Sequence, residues 1–309
     1  NPMAITVLTT RPMRLPELSA GGETLRWVSL GSPDGADARA LLATAVDPVD
    51  AATIAALPDG VGLIANFGVG TDNIDLAAAA ARGIRVSNTP VVTEDTADLV
   101  FALILAACRR VGAAERFVRQ GAWEQGKPFP PALRVSGARL GIAGFGAIGQ
   151  AVARRAAGFG MQVSYWARGP KREAEVLGAR HVLSLEELVS ECEIVSIHLP
   201  LSPETRHLFN AALLARFTPG AVLVNTARGA VVDEAALVAA LENGTVGAAG
   251  LDVFEDEPRI HPALTGMDQV VLTPHIGSAT QACRADMVAR MIGNLVAFLE
   301  KGEPIDRVV

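Results

Sequence analysis

Residues 140–149 read Leu-Gly-Ile-Ala-Gly-Phe-Gly-Ala-Ile-Gly, an apolar run that ends in three glycines spaced G-x-G-x-x-G. Leu140 to Ala143 has the composition of a buried strand, and AIGQAVARRAAGFG from Ala147 that of a helix. Between those elements Gly144 permits a tight turn and Gly146 lets backbone amides approach a pyrophosphate. Gly149 lets the helix pack close to the strand, while its start at Ala147 and Ile148 offers N–H donors and a positive dipole. The stretch therefore predicts a dinucleotide-binding α/β unit.

Such units usually place an acid roughly 20 residues further on, where it accepts from the ribose hydroxyls of NAD. Here that region reads SYWARGPKR (164–172), and no Asp or Glu lies between Gly144 and Arg172. A 2′-phosphate would be repelled by a carboxylate and bound by a guanidinium. Arg168, with Lys171 or Arg172 behind it, has the right sign and position, so NADP is expected ahead of NAD. The alternative is a solvated basic loop.

Elsewhere, short β-branched runs alternate with alanine-rich helical stretches, the pattern of parallel sheets joined by crossover helices. Strands are expected near 5–10, 41–46, 62–67 and 84–88, with helices at 49–57 and 75–83 and a long helix from Glu94 to Gln120. After GKPFPPALRVSG, a second series begins at 139–145 and continues at 162–167, 193–199, 221–227, 247–253 and 270–274. A last helix follows from Thr280. The fold class is α/β, with two doubly wound parallel-sheet domains and a ligand cleft between them.

At 309 residues the chain has room for both cores, and 50% hydrophobic with 19% charged residues is a globular composition. A net charge of −6 argues against a nucleic-acid partner, and no apolar run suggests a membrane span. Cys108, Cys192 and Cys283 are odd in number and far apart, which fits a reducing cytoplasm better than a disulfide framework. Asn1-Pro2 ahead of Met3 reads as an expression scar, with no signal peptide. The histidines form no metal-ligand grouping, so no metal is expected.

Three later stretches carry chemistry. NTARGAVVDEAAL puts Arg228 just past a buried strand, GLDVFEDEP puts Asp252 and Glu257 past the next, and VLTPHIGSAT puts His275 past another. Residues beyond strand C-termini line the crevice of an open α/β sheet. Arg228 suits a clamp on a 2-keto acid's carboxylate that also polarises the adjacent carbonyl. His275 suits delivery of a proton to the developing alkoxide, and Glu257 suits orientation of its ring. Singly, each has a plainer reading: an ion pair, a solvated loop acid, a packed loop histidine.

Together, GIAGFGAIGQ, EIVSIHLPLSPETRHLFN, NTARGAVVDEAALVAALENGTVGAAGLDVFEDEP and LTPHIGSAT resemble the D-isomer-specific 2-hydroxyacid dehydrogenase family over about residues 60 to 290. The resemblance implies Arg228, Glu257 and His275 as the catalytic three. It also implies cofactor contacts at Thr96, Gly144 through Gly149, Leu199-Pro200, Thr205, Thr226-Ala227, Asp252, Gly277 and Ser278. VGTDNID resembles the family's substrate loop, with Val69-Gly70 amides holding the carboxylate alongside Arg228 and His275. It implies a Rossmann coenzyme domain (94–278) inserted into a flavodoxin-like substrate domain (1–93 and 279–309), and a homodimer joined through the coenzyme domains.

VGTDNID with WARGPKR resembles the branch of NADPH-dependent glyoxylate/hydroxypyruvate reductases. Trp123 reads as an interface or core anchor, and Gly126 stands where some hydroxypyruvate reductases carry a second tryptophan. The resemblance implies no extension of the formate dehydrogenase type and no regulatory domain after Val309. Two alternatives stay open: an NAD-dependent enzyme of other specificity, and a dinucleotide-sensing corepressor with little turnover.

Overall fold

A computed structural model describes residues 4–13 and 15–309, so the reading of Asn1-Pro2 and Met3 lies outside the described residues. The chain divides into two compact units, Asn1–Val92 with Ala279–Val309, and Thr93–Ser278. Thr93 goes with the second unit because it opens that unit's first helix.

In the first unit, strands β1 (Ile5–Thr9), β2 (Ser19–Ala20), β3 (Glu23–Ser29), β4 (Ala40–Thr44), β5 (Leu63–Phe67) and β6 (Arg85–Ser87) form one sheet in the order β2-β3-β1-β4-β5-β6. All neighbours are parallel except β2, which runs antiparallel to β3. Setting β2 aside, this is the flavodoxin-type doubly wound order. The centre of β4 and β5 reads as unbroken apolar sequence because both faces are covered. Helices α1 (Ala51–Ala56) and α2 (Leu76–Ala81), capped by Asp50 and Asp75, pack Ile54 and Ala79 on one face. The terminal helix Gln281–Lys301 packs Met291 and Leu295 against Val7, Leu42 and Leu63 on the other.

The strand β3 was not expected. Its sequence ETLRWVS buries only Leu25 fully, because it pairs with β1 on one side and two-residue β2 on the other. Partial cover permits charged side chains at alternating positions and removes the continuous apolar signal.

The second unit holds β7 (Arg139–Ala143), β8 (Gln162–Trp166), β9 (Arg180–His181), β10 (Ile194–Ile197), β11 (Ala221–Asn225), β12 (Val246–Leu251) and β13 (Val270–Leu272), in the order β13-β12-β11-β10-β7-β8-β9 and parallel throughout. Helices α3 (Thr93–Cys108), α4 (Val111–Arg119), α5 (Ala147–Gly158), α6 (Arg172–Val176), α7 (Leu185–Glu191), α8 (Ala211–Leu214), α9 (Glu234–Glu242) and α10 (Pro262–Gly266) complete it. Val100, Ile104, Ala151 and Val152 cover one sheet face, and Leu188, Leu213, Leu237 and Leu241 belong to the core on the other.

The expected single helix from Glu94 to Gln120 is two helices. Arg110 sits in the left-handed region at φ 54, which ends α3, and the Cys108 carbonyl accepts from the Leu133 N–H at 3.0 Å. No helix among the described residues is long and apolar enough to cross a membrane. The strand order reverses between β7 and β10, so the C-terminal ends of β7, β10, β11, β12 and β13 present their turns along one edge of the sheet.

Candidate active site

Arg228 is placed from below by Asn225, a buried residue at the end of β11. The Asn225 Oδ1 accepts from the Ala227 N–H at 3.0 Å, and its Nδ2 donates to the Arg228 carbonyl at 2.9 Å. The chain then makes a 3-10 turn over Gly229–Val231. Gly229 lies against the peptide joining Phe254 and Glu255. A Cβ there would stand 1.9 Å from the Phe254 carbonyl carbon and 2.0 Å from its oxygen. The turn carrying Arg228 and the turn carrying Glu257 therefore meet backbone to backbone.

His275 is held from beneath by Asp252, which is 1% exposed at the end of β12. Asp252 Oδ1 accepts from the Thr273 hydroxyl at 2.6 Å and the Ile276 N–H at 2.8 Å. Its Oδ2 accepts from the Gly277 N–H at 2.9 Å, and its carbonyl accepts from the His275 N–H at 2.9 Å. Those bonds hold His275 at φ 53, a left-handed conformation uncommon for a residue with a side chain. The sequence reading gave Asp252 a cofactor contact. In the structure its carboxylate is the anchor of the 273–277 loop.

Glu257 then joins the two turns. Its Oε2 lies 2.8 Å from His275 Nδ1, and its Oε1 accepts from the Phe254 N–H at 3.0 Å. Burial pushes the Glu257 carboxyl up, but the bonds from His275 and Phe254 and the charges of His275 and Arg228 outweigh it, leaving it below the ordinary glutamate value. With Nδ1 turned to a carboxylate, that nitrogen carries a proton and Nε2 is left for external chemistry. The imidazole is 43% exposed, so this outer edge is accessible. The fold thus brings Arg228, Glu257 and His275 into one cluster.

The glycine turn fits a dinucleotide's phosphates. Gly144 has φ 96, and a Cβ on it would meet the His198 carbonyl oxygen at 2.5 Å. A Cβ on Gly149 would stand 2.3 Å from the Gly144 oxygen, which explains its residue type as helix-on-turn packing. Gly146 caps α5 with nothing within 4 Å of where a Cβ would be and has no side chain to cap the helix start over Ala147 and Ile148. The buried Thr226 hydroxyl oxygen has no hydrogen-bond partner among the described residues, so it is free to accept from or donate to a polar ligand group.

Past β8, Arg168, Lys171 and Arg172 are exposed, and none forms an ion pair with a carboxylate among the described residues. Tyr165, 1% exposed, shapes this loop, a role not read from the sequence. Its hydroxyl accepts from the Lys171 N–H at 2.7 Å, and its ring stacks on Phe145 of the glycine turn at 4.1 Å between centroids. Thr96, in the first turn of α3, reaches the Gly277 carbonyl at 3.4 Å beside Ser278. Leu199 and Pro200 follow β10, where the Thr205 hydroxyl donates to the Pro200 carbonyl at 2.6 Å. Desolvation pushes the nearby His198 imidazole down to about 3, so it stays neutral.

In the first unit, the Val69-Gly70 loop follows β5 and is set by two asparagines. Asn88 Nδ2 donates to the Val69 carbonyl at 2.8 Å, and Asn66 Nδ2 to the Gly70 carbonyl at 2.7 Å. Among the described residues no group of three His, Cys, Asp or Glu side chains is arranged to hold a metal ion. Trp123 is 69% exposed in this chain, so it anchors no core within it.

A family model for the D-isomer specific 2-hydroxyacid dehydrogenase NAD binding domain matches residues 101–277. A glyoxylate reductase of Thermococcus litoralis is 46% identical over 271 residues, which is 85% of this chain and 81% of the relative. A hydroxyphenylpyruvate reductase of Plectranthus scutellarioides is 42% identical over 96% of this chain and 89% of its own length. Among solved structures, an NADPH-dependent glyoxylate/hydroxypyruvate reductase of Sinorhizobium meliloti, in complex with NADP and malonate, superposes with a TM-score of 0.90. It is 35% identical, and the match covers 99% of this chain and 97% of that one.

Gly229→Ala tests the backbone contact on which this geometry rests. The added Cβ has no flexible neighbour to displace, so the two turns must part, at a cost of about 1–3 kcal/mol. A lowered Tm with a slowed reaction is the expected outcome. A variant that keeps the wild-type Tm and rate would show that the contact constrains nothing.

Proposed function

The chain belongs to the D-isomer-specific 2-hydroxyacid dehydrogenase family, and from that membership we propose an NADPH-preferring reductase of small 2-keto acids, of the glyoxylate and hydroxypyruvate type, that yields D-2-hydroxy acids. The observation that carries the reading is the Glu257–His275 pair at 2.8 Å, with the charge of Arg228 acting on the same carboxylate.

In this reading Arg228 receives the substrate carboxylate and polarises the neighbouring carbonyl, a planar two-point task that suits guanidinium. The Val69-Gly70 amides of the first unit are proposed as further carboxylate donors. When bound, the nicotinamide supplies the hydride that adds to C2. His275 Nε2 gives its proton to the carbonyl oxygen as that oxygen gains negative charge. Glu257 holds Nδ1 and stabilises the imidazolium form before transfer. Its depressed carboxyl keeps it ionised, as that role requires.

The residues proposed to hold the coenzyme are Thr96, the turn from Gly144 to Gly149, Leu199-Pro200, Thr205, Thr226-Ala227, Asp252 and Gly277-Ser278. The preference for NADPH rests on Arg168, Lys171 and Arg172, with no Asp or Glu between Gly144 and Arg172. NAD is the weaker coenzyme in this reading. The three cysteines are free and buried, which suits a reducing cytoplasm.

A homodimer through the second unit is proposed from its exposed apolar side chains, Val111 and Val118 of α4 with Leu133 and Trp123. Sedimentation at micromolar concentration should show twice the chain mass, and a lone monomer boundary would reject the dimer.

Two measurements test the chemistry. His275→Ala should lower the rate of glyoxylate reduction by a factor of about 10²–10⁴ while leaving NADPH binding, read by nicotinamide fluorescence, intact. Unchanged turnover would remove His275 from the mechanism. Initial rates with NADPH and NADH in parallel should differ by about tenfold or more in favour of NADPH, the worth of one charge-assisted contact. Equal rates, or a faster reaction with NADH, would make SYWARGPKR a solvated loop.

A further inference from the structure

A second carboxylate lies behind the site, and the mechanism above leaves it without a task. Glu234 opens α9, six positions along the chain from Arg228, and is 8% exposed. An acid at a helix start is ordinarily explained by the helix dipole or by capping. Capping is already done by Asp233, whose Oδ1 accepts from the Ala236 N–H at 3.0 Å. Glu234 points elsewhere. Its Oε1 accepts from the Glu255 N–H at 2.6 Å, and Glu255 Oε2 returns a bond from the Glu234 N–H at 3.4 Å. The other oxygen of Glu255 meets Nε2 of His207. The His207 N–H in turn donates to the Ala230 carbonyl at 2.8 Å, inside the turn that follows Arg228.

These bonds converge on one short piece of backbone. The Phe254 N–H holds Glu257, the Glu255 N–H is held by Glu234, and Gly229 lies against the peptide between them. We propose that Glu234, backed by Glu255 and His207, is a positioning residue for the reaction, which keeps the Phe254–Glu257 turn in the one geometry that presents Glu257 to His275. The inference rests on the reading of Glu257 and His275 given above.

The arrangement is expensive for anything less. Burial, and then the negative charge of Glu255, push the Glu234 carboxyl above its ordinary value, against N–H bonds from Glu255 and His261 and the charge of His261. Two acids exchanging bonds at a half-buried turn are easily replaced by apolar packing if only stability matters. What apolar side chains cannot do is accept the Glu255 N–H and so fix the plane of its peptide.

The test compares the wild type, Glu234→Ala, Glu234→Gln and Glu255→Ala in glyoxylate reduction across pH. In the wild type the ionised Glu257 is depressed below the ordinary glutamate value, so its contribution is complete above that value and is lost as pH falls through the folded one. Glu234→Ala frees the turn and weakens the Phe254 N–H bond to Glu257. We expect kcat to fall about tenfold to a hundredfold with KM within about threefold, and the acid limb of kcat to move to higher pH. Glu234→Gln keeps an amide oxygen for the Glu255 N–H, and should restore the limb and most of kcat.

A Glu234→Ala enzyme that is less heat-stable but keeps both kcat and the wild-type acid limb would overturn the proposal. If that variant does not fold, Glu255→Ala decides, because it removes the carboxylate shared with His207 and leaves the Glu255 N–H in place. It should move the limb in the same direction, and an unmoved limb overturns the proposal. If the wild type reduces no 2-keto acid, the functional reading fails by itself. The brace is then judged by hydrogen exchange at the Phe254 and Glu255 amides. Glu234→Ala should speed it about tenfold or more and Glu234→Gln should not, and equal protection in all three proteins rejects the brace.

Discussion

The peptide bond between Phe254 and Glu255 passes so close to Gly229 that no side chain fits between them. That approach links two segments that leave neighbouring strands, β11 and β12, and that carry the two groups of opposite charge in the site. A parallel sheet sets strand ends about 5 Å apart, but it does not decide how the turns beyond them fold. The close backbone contact does. Once Gly229 lies on the peptide, the backbones that carry Arg228 and Glu257 are fixed relative to each other.

The same economy governs the third member. His275 leaves β13 in a left-handed conformation, and Asp252 from the neighbouring β12 supplies the acceptors that make the conformation persist. Three adjacent strands therefore contribute one functional side chain or its anchor each, and each turn is pinned by a buried polar residue of the strand beside or beneath it. Asn225 does this for Arg228, and Asp252 does it for His275. Asn225 bonds the backbone of its turn, and Asp252 bonds backbone N–H groups and the Thr273 hydroxyl.

Much of this was legible in the sequence for a physical reason. A glycine in a strand–turn–helix context has few explanations besides a tight turn or a close approach, and residues just past buried strands of a parallel sheet share one edge. That rule let Arg228, Glu257 and His275 share one site, and the resemblance to the family singled them out as the catalytic three. Local sequence said less where the cause lay far along the chain. The pattern of β3 is blurred because its cover is partial, and the break at Arg110 depends on Leu133, which takes up the freed Cys108 carbonyl. Tyr165 reads as one more apolar residue of a buried strand until its hydroxyl is seen on the Lys171 N–H. Glu234 reads as a helix-start acid, since nothing near it in sequence reveals a partner 21 residues away.

Glu257 and Glu234 show how one turn can shift two carboxylates in opposite directions. They lie at either side of the Phe254–Glu255 peptide, and both accept an N–H from it or beside it. Their surroundings otherwise have opposite sign. Glu257 faces His275 and Arg228, which help hold its carboxyl down, whereas burial, and then the charge of Glu255, drives the Glu234 carboxyl up. A site that needs an ionised carboxylate next to an imidazole gains from this separation. Glu257 stands on the side of His275, while the inner carboxylate of Glu234 serves as a hydrogen-bond acceptor for the backbone. With the two environments exchanged, the raised acid would stand beside His275 and the depressed one would be the buried acceptor for the backbone.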